Sequence, residues 1–334
     1  MRFGAVPVAQ AIGTILAHSV SLPTGPLRKG TLLGAADVAA LQAAGRSSVI
    51  VARLDPADLH EDAAAARIGA ALLPDPARQG LRASIAATGR VNLYALQAGV
   101  LAVDAAAVTA LNRVNPMITL ACLRPFARVA AGAMVATVKI ISYGVDAADV
   151  ARACALVGPA LQLKSPMFQT ASLIETVVGM GADLPDPGPK GRAALQTRLG
   201  RLGVRLTGRQ IVAHEAGAVA RAVTAAPGEV IFVLTASATS DPQDVGPQAV
   251  RDAGGQIVQF GIPVDPGNLL FLGALGQKPV IGLPGCARSP ALNGAEWVLE
   301  RVICGIAITP DDLAAMGVGG LLKESTARGR LRDS

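Results

Sequence analysis

Short apolar runs alternate with helix-like segments along the second half of the chain, beginning near residue 170. The runs predicted as strands are 171–177, 204–213, 229–234, 256–260 and 279–283. The segments predicted as helices between or after them are 190–202, 216–225 and 244–253. Continuous β-branched runs of this length are typical of buried parallel strands. Their alternation with helices implies right-handed crossovers, so we expect an α/β domain with a doubly wound, mostly parallel sheet.

Capping residues sharpen several helix boundaries in this half. Asp244 is a strong N-cap for the helix predicted to reach Ala253, which Gly254 and Gly255 would end. Ser289 followed by Pro290 predicts a second N-cap, opening a helix that continues through Trp297 to about Cys304. A last short helix is expected to begin at Asp311-Asp312.

The first half of the chain has a different pattern, rich in short strands. Residues 5–33 resemble short strands broken by Pro and Gly, and 36–44 a helix. Further strands are predicted at 48–54, 81–86, 91–96, 99–103, 118–123, 127–130 and 134–141. Further helices are predicted at 105–112 and 147–157, together with an Ala-rich helix opened by Asp55-Pro56 and reaching about Leu72. This indicates a β-rich α+β module.

The change of rhythm suggests the domain boundaries. Lys164-Ser165-Pro166 is a candidate linker. We expect a β-rich module at 1–166, either one unit or two (1–73 and 74–166), an α/β domain at 167–322 and a flexible tail at 323–334.

Composition narrows the class of protein. Hydrophobic residues make up 51% of the chain and aromatic residues 3%, so the core is expected to consist of Ala, Val, Leu and Ile. Thirty basic and 24 acidic residues give a net charge of +6, without the clustered basic and aromatic face of a nucleic-acid binder. A mild basic bias also suits a phosphorylated ligand. No apolar run is long enough to span a membrane.

The cysteines, the histidines and the common catalytic motifs mostly exclude classes of site. The four cysteines form no CxxC pair, which favours a reduced, cytoplasmic protein. The three histidines are far apart and have no metal-ligand spacing, so no metal site is assigned. The sequence contains no P-loop, no strand-linked GxGxxG and no Ser-His-Asp order.

Three polar segments follow predicted strands, where ligands of open α/β sheets bind. They are Leu-Thr-Ala-Ser-Ala-Thr-Ser-Asp-Pro-Gln-Asp-Val (234–245), Pro-Val-Asp-Pro-Gly-Asn (263–268) and Gly-Leu-Pro-Gly-Cys-Ala-Arg-Ser-Pro (282–290). Their order and spacing resemble the molybdopterin-binding domain of molybdenum cofactor biosynthesis. That family carries Gly-Gly-x-Ser/Gly-x-Gly-x-x-Asp, then Pro-Gly-Lys-Pro, then Leu-Pro-Gly-Asn-Pro-x-Ser. The resemblance covers roughly 169–322.

Several substitutions place the chain in a divergent branch, similar to the molybdopterin-binding proteins sometimes fused to a nucleotidyltransferase. Ala236 and Ser237 stand at the paired glycines, and Asp241 stands at the third glycine. Asn268 replaces the lysine of the second segment. The third segment keeps Leu-Pro-Gly and then has Cys-Ala-Arg-Ser at 286–289.

The resemblance implies a site at the carboxyl edge of the sheet. Asp241 and Asp244 would be its catalytic carboxylates, one helical turn apart. The residues implied to bind the cofactor are Thr176, Ala236, Ser237, Thr239, Ser240, Pro266, Gly267, Asn268, Pro284, Gly285, Cys286, Arg288 and Ser289. The implied cofactor is molybdopterin, or its nucleotide or molybdenum form, with Mg²⁺ a candidate accompanying ion.

Each of these residues also has a structural interpretation. Asp244 caps a helix in either case, and Asp241 could be a solvated turn residue before a proline. Cys286 could be reactive or simply a small packing residue. Arg288 is a candidate phosphate clamp. Lys190, at the start of a predicted helix, is either solvated or a phosphate contact.

Three functions stay open at this point. The first is a non-enzymatic molybdopterin-binding protein that serves cofactor biosynthesis or maturation. The second is a catalytic adenylyl- or molybdotransferase, and the third a phosphoester hydrolase that reuses the domain. Because Asn268 lacks the family's positive charge, binding is favoured over molybdate insertion. The resemblance implies a nucleotidyltransferase or a molybdoenzyme as partner, and a homo-oligomer by analogy.

Overall fold

The computed structural model describes residues 1–179 and 184–322. The predicted tail at 323–334 lies outside these residues. Within the described part, the chain forms two compact units. The first comprises Met1–Gln97 and Leu101–Leu163, and the second comprises Ala98–Val100 and the chain from Lys164 onward.

Short strands dominate the first unit. Its strands are β1 (Arg2–Pro7), β2 (Ile15–Leu16), β3 (Val20–Leu22), β4 (Gly25–Leu27), β5 (Ser48–Arg53), β6 (Asp58–His60), β7 (Leu81–Ala83), β8 (Arg90–Ala95), β9 (Gly99–Val103), β10 (Ile118–Cys122), β11 (Ala127–Val129), β12 (Met134–Ile140), β13 (Gly144–Asp146) and β14 (Leu161–Lys164). Its helices are α1 (Ala35–Ala43), α2 (Glu61–Leu72), α3 (Pro76–Gln79), α4 (Ala105–Asn112) and α5 (Ala147–Val157), with a 3₁₀ turn at Val8–Gln10.

The strands of this unit form several small sheets, although β9 begins and β14 ends at residues that belong to the second unit. The orders are β1-β5-β2, β10-β12-β8-β7 and β11-β9-β14, with two-stranded pairs β13-β6 and β3-β4. Helix α2 packs on the four-stranded sheet through aliphatic residues such as Ile68, Leu93 and Val138, all fully buried, and α5 packs against α2 and α4. The predicted α+β character is therefore observed here.

One helix start predicted in the first unit was wrong. Asp55-Pro56 was expected to open the Ala-rich helix, but α2 begins at Glu61 and its N-cap is His60, whose ring accepts from the Asp62 amide. Asp58–His60 forms β6 instead, paired with β13. Two strands of only three residues give too short a pattern to be seen in the sequence.

The second unit alternates strands and helices. Its strands are β15 (Thr170–Val177), β16 (Arg205–Ala213), β17 (Val230–Leu234), β18 (Gln256–Phe260), β19 (Phe271–Leu275) and β20 (Lys278–Leu283). Its helices are α6 (Lys190–Gly200), α7 (Ala216–Ala225), α8 (Val245–Asp252), α9 (Gly294–Ile303) and α10 (Pro310–Ala315), with a 3₁₀ turn at Gly285–Arg288.

One six-stranded sheet organises this unit, in the order β16-β15-β17-β20-β19-β18. The β15–β16, β15–β17 and β17–β20 pairs are parallel, so the carboxyl ends of these four strands share one edge. The β18–β19 and β19–β20 pairs are antiparallel. The α/β class is thus as predicted, while the doubly wound connectivity stays a prediction.

The two faces of the sheet carry different helices. Helices α7 and α8 pack on the face that presents Ile174 and Val233. Side chains alternate along a strand, so Leu234 and Glu175 point to the other face. Helix α6 begins against this second face. A Cβ added at Gly191 would lie only 2.5 Å from Leu234 Cδ2. Gly191 therefore permits the close approach of α6 to the sheet.

The segment after β20 differs from the prediction in two ways. Ser289-Pro290 does not open the last long helix: α9 begins at Gly294, and Asn293 caps it by accepting from the Ala295 amide at 2.9 Å. The four residues after Pro284 instead form the 3₁₀ turn.

Strand β19, which precedes β20 and joins it through a two-residue connection at Gly276-Gln277, was not predicted from the sequence.

Candidate functional site

The loop after β17 is shaped by its own side chains. Thr235 Oγ1 donates to the Ser237 carbonyl at 2.7 Å and lies 3.2 Å from Thr239 Oγ1. Both threonines are buried, whereas Ala236, Ser237 and Ser240 are exposed. The loop therefore presents small residues to the surface above a fixed hydroxyl pair.

The two predicted carboxylates lie in this loop, and each accepts hydrogen bonds from nearby backbone amides. Asp244 Oδ1 accepts from the Val245 amide at 2.7 Å and Oδ2 from the Ser240 amide at 3.1 Å. Asp241 is exposed, and its Oδ1 accepts from the Gln243 amide at 2.7 Å. The expected cap at Asp244 is confirmed. Each carboxylate thus holds its own loop in shape.

Thr176 connects the end of β15 to this loop. It is buried, and its Oγ1 accepts from the Ala236 amide at 2.7 Å. The same oxygen lies 2.9 Å from His214 Nδ1, just after β16. The ends of three adjacent parallel strands are therefore joined through a single hydroxyl.

Arg288 connects the third segment to the same loop. Its Nη2 donates to the Thr235 carbonyl at 3.0 Å. Cys286 is exposed, and its Sγ accepts from Asn293 Nδ2 at 3.0 Å. Cys286 lies in the 3₁₀ turn, and α9 begins only at Gly294.

The second segment packs against the start of α9. The Gly294 amide donates to the Pro266 carbonyl at 2.8 Å. Gly267 has φ of 140° and lies so close to Gly294 that a Cβ would come within 2.8 Å of its nitrogen. A residue with a side chain would be strained there on both counts. Asn268 is exposed, and its carbonyl accepts from the Ile262 amide.

An open pocket of about 680 Å³ lies between α6 and the turn after β20, and we call it the α6 pocket. The residues that line it are Lys190, Ala193, Ala194, Thr197, Gly285, Cys286, Arg288, Ser289 and Pro290. The volume is in the usual range for small-molecule sites. Lys190 and Arg288 bring two cations to an otherwise neutral lining, so the pocket suits an anionic group.

A buried carboxylate beneath this region was not anticipated from the sequence. Glu175, on β15, is 1% exposed and pairs with Arg209 Nε through Oε2 at 2.7 Å. Its Oε1 has no hydrogen-bond partner within the described residues. Oε1 and Arg288 Nη1 each lie 3.5 Å from the position of a Cβ at Gly191. A lone Glu in an apolar run, TASLIETV, was the available signal.

Arg209 also reaches an exposed carboxylate. Its Nη2 lies 3.1 Å from Asp186 Oδ1. The hydrogen bond from Arg209, together with the Gly188 amide, lowers the pKa of Asp186. Hydrogen bonds to Asp186 and Glu175 raise the pKa of Arg209. Arg209 therefore stays charged and ties β15 to the segment that precedes α6.

A second buried group, also missed from the sequence, holds the turn from behind. Arg198 on α6 is 5% exposed and donates to the Ala287 carbonyl at 2.6 Å and to the Ser289 carbonyl at 2.7 Å. Glu296 on α9 lies 3.1 Å from Arg198 Nε and 3.0 Å from Arg201 Nη1. Residues this far apart in sequence give no local pattern.

Across residues 1–179 and 184–322, His, Cys, Asp and Glu side chains form no group of three that could hold a metal ion. No helix in the same part of the chain is long and apolar enough to cross a membrane.

Residues 5–53 match a family described as a domain of unknown function (DUF8806). Among curated proteins, none matches the chain.

Similar solved structures include three from molybdenum cofactor biosynthesis. A molybdopterin biosynthesis MoeA protein from Pyrococcus horikoshii is 13% identical, with a TM-score of 0.32, over 91% of this chain and 75% of that one. Molybdenum cofactor biosynthesis protein B is 15% identical, with a TM-score of 0.30, over 42% and 96%. A molybdenum cofactor biosynthesis protein from Pyrococcus furiosus is 11% identical, with a TM-score of 0.25, over 92% and 66%. Similarities at this level establish neither a shared fold nor an activity.

Proposed function

We propose that this protein binds molybdopterin, or its nucleotide or molybdenum form, at the carboxyl edge of the β15–β20 sheet. The observation that carries the proposal is the hydrogen bond from Arg288 to the Thr235 carbonyl. It joins two of the three segments in which the sequence resembles the molybdopterin-binding family. The same arginine lines the α6 pocket beside Lys190. A phosphorylated pterin would place its anionic end there.

The contacts of the loop favour a carrier over an enzyme. Asp241 and Asp244 accept hydrogen bonds from amides of their own loop, so both have a structural role that does not require proton transfer. Asn268 supplies no cation where the molybdotransferases would carry one. A site that binds phosphate and has no further charged groups is suited to a carrier, which would hold the ligand for a partner nucleotidyltransferase or molybdoenzyme. Transfer at the terminal phosphate remains the alternative, since it needs positioning more than a nucleophile.

The direct test is the ligand itself. The protein would be purified from cells with an intact cofactor pathway, and the bound material oxidised to a fluorescent pterin. We expect one pterin per site in the wild type and a large loss in Arg288→Ala, because a charge-assisted hydrogen bond contributes roughly 1.5–3 kcal/mol. A matched control is Arg251→Ala, since Arg251 Nη1 also donates to a backbone carbonyl of the loop, that of Pro242, but Arg251 does not line the α6 pocket.

Two further outcomes separate the candidate functions. Absence of pterin from the wild-type protein would contradict the binding proposal. Activation of an apo-molybdoenzyme by molybdate, molybdopterin and this protein alone would show that it is a transferase. Turnover of molybdopterin with a nucleoside triphosphate would show the same for adenylyl transfer.

A further inference from the structure

The α6 pocket is shaped by a residue that does not line it. Arg198 lies behind the turn after β20, buried to 5% exposure. Its guanidinium donates three hydrogen bonds to carbonyls of the same segment: Ala287 at 2.6 Å, Ser289 at 2.7 Å and Ala291 at 3.1 Å. Three bonds from one planar fork fix the course of a backbone more firmly than a lysine could.

The carbonyls that Arg198 binds alternate with residues of the pocket. Arg288 stands between two of them, and Ser289 lies at both the pocket and the contact. On α6, Ala194 and Thr197 line the pocket from the turn that precedes Arg198. Arg198 is therefore placed to determine where the Arg288 backbone lies relative to α6.

Arg198 also brings charge. Glu296 lies 3.1 Å from Arg198 Nε, as an ion pair without hydrogen-bond geometry, and 3.0 Å from Arg201 Nη1. Two guanidinium groups thus share one carboxylate, and these three side chains carry one net positive charge.

We propose that Arg198 is a positioning residue for an anion site in the α6 pocket, in which Arg288 and Lys190 contact a phosphate or phosphate ester. Arg198 holds the 287–291 backbone, and through it Arg288, in the binding geometry. This deepens the proposed function by stating where the anionic end of the ligand lies. The natural ligand rests on that proposal, while the anion site can be tested without it.

The probe is inorganic pyrophosphate, measured by calorimetry with the full chain. We expect the wild type to bind it and Arg198→Met to weaken binding about tenfold or more, as for loss of a well-placed charged contact. Arg201→Met is the matched control: Arg201 is on the same helix and pairs with the same Glu296, but it is not a donor to the turn in any described contact. It should change affinity less than about twofold.

A coupling measurement separates positioning from general structural support. If Arg198 acts through Arg288, then Arg198→Met should have little effect in an Arg288→Ala background, giving clear non-additivity. Additive losses would overturn the proposal, as would wild-type protein that binds no pyrophosphate. A lower unfolding temperature with unchanged affinity would also overturn it.

Should Arg198→Met fail to fold, Arg198→Lys decides. One ammonium keeps the charge but cannot reach three carbonyls in a fork, so we expect weaker binding than the wild type; equal affinity would overturn the proposal. Pyrophosphate binding that depends on Arg198, in a protein that carries no pterin, would contradict the proposed function alone. Pterin binding with no dependence on Arg198 would contradict this inference alone.

Discussion

At the residue scale, Asp244 combines a structural role with a place in the proposed site. Both of its carboxylate oxygens accept backbone amides, at the first turn of α8 and at Ser240. We expect Asp244→Ala to lower the free energy of unfolding by about 1 kcal/mol through the lost cap and to weaken pterin binding by loosening the loop. Urea denaturation and pterin titration measure the two effects.

Asp241→Asn is the paired variant. Asp241 is exposed and caps no helix, and an Asn side-chain oxygen can still accept from the Gln243 amide. Stability should stay near that of the wild type, while affinity for the pterin changes. If both variants bind the pterin as the wild type does, these two residues have no part in the site.

Individual residues also differ in whether their structural role can be predicted from the sequence. Asp244 was found because capping is a local preference, visible three or four residues away. Glu175 and Arg198 were not found, since their partners lie 34 and 98 residues further along the chain. Buried ion pairs of this kind depend on the tertiary fold, which a single sequence does not display.

At the element scale, the start of α9 gives a sharp comparison. Asn293 is 1% exposed and caps the helix, whereas Ser289 lies four residues earlier and its Oγ accepts from the Ala291 amide at 3.3 Å. We expect Asn293→Ala to cost at least about 1 kcal/mol of unfolding free energy and Ser289→Ala little. Denaturant titration of both variants measures this. A larger loss in Ser289→Ala would favour the helix start predicted from Ser289-Pro290.

The same element explains a limit of pattern reading. Ser-Pro is a good start signal, and nothing local distinguishes it from Asn293 followed by Gly294. Tertiary contacts decide instead, because the Gly294 amide donates to the Pro266 carbonyl and a Cβ at Gly294 would lie only 2.7 Å from Val264 Cβ. By contrast, β15, β17 and α8 were predicted within a residue or two, since long apolar runs and caps are local signals.

At the scale of the whole molecule, stability should depend on acid through Glu229. This exposed carboxylate accepts from the Gln169 and Thr170 amides and from Thr170 Oγ1, which lowers its pKa in the folded state. A lowered folded pKa stabilises the protein above the unfolded pKa, about 4.5, and this contribution is lost as pH falls through the folded value. Glu229→Gln cannot titrate. The stability difference between wild type and Glu229→Gln should therefore shrink as the pH falls through the unfolded pKa and below it, and a constant difference would contradict the assignment.

The four cysteines allow the whole molecule and the proposed site to be probed together. All are free thiols, and we expect four per chain on denaturation without reductant, so fewer would contradict the prediction of a reduced protein. Burial, with Glu300 nearby, raises the pKa of Cys304 to about 12, and burial raises the pKa of Cys122 and Cys154 as well. Because the thiolate is the reactive form, these three should alkylate slowly in native protein.

Cys286 differs from them because it is exposed and lines the α6 pocket. Native alkylation followed by peptide mass spectrometry should modify Cys286 first. A ligand seated between α6 and the turn would cover its Sγ, so pyrophosphate or molybdopterin should slow that modification while the rates at Cys122 and Cys154 stay the same. Equal protection of all three would indicate a general tightening of the fold. An unchanged rate at Cys286 under saturating ligand would place the ligand elsewhere on the sheet edge.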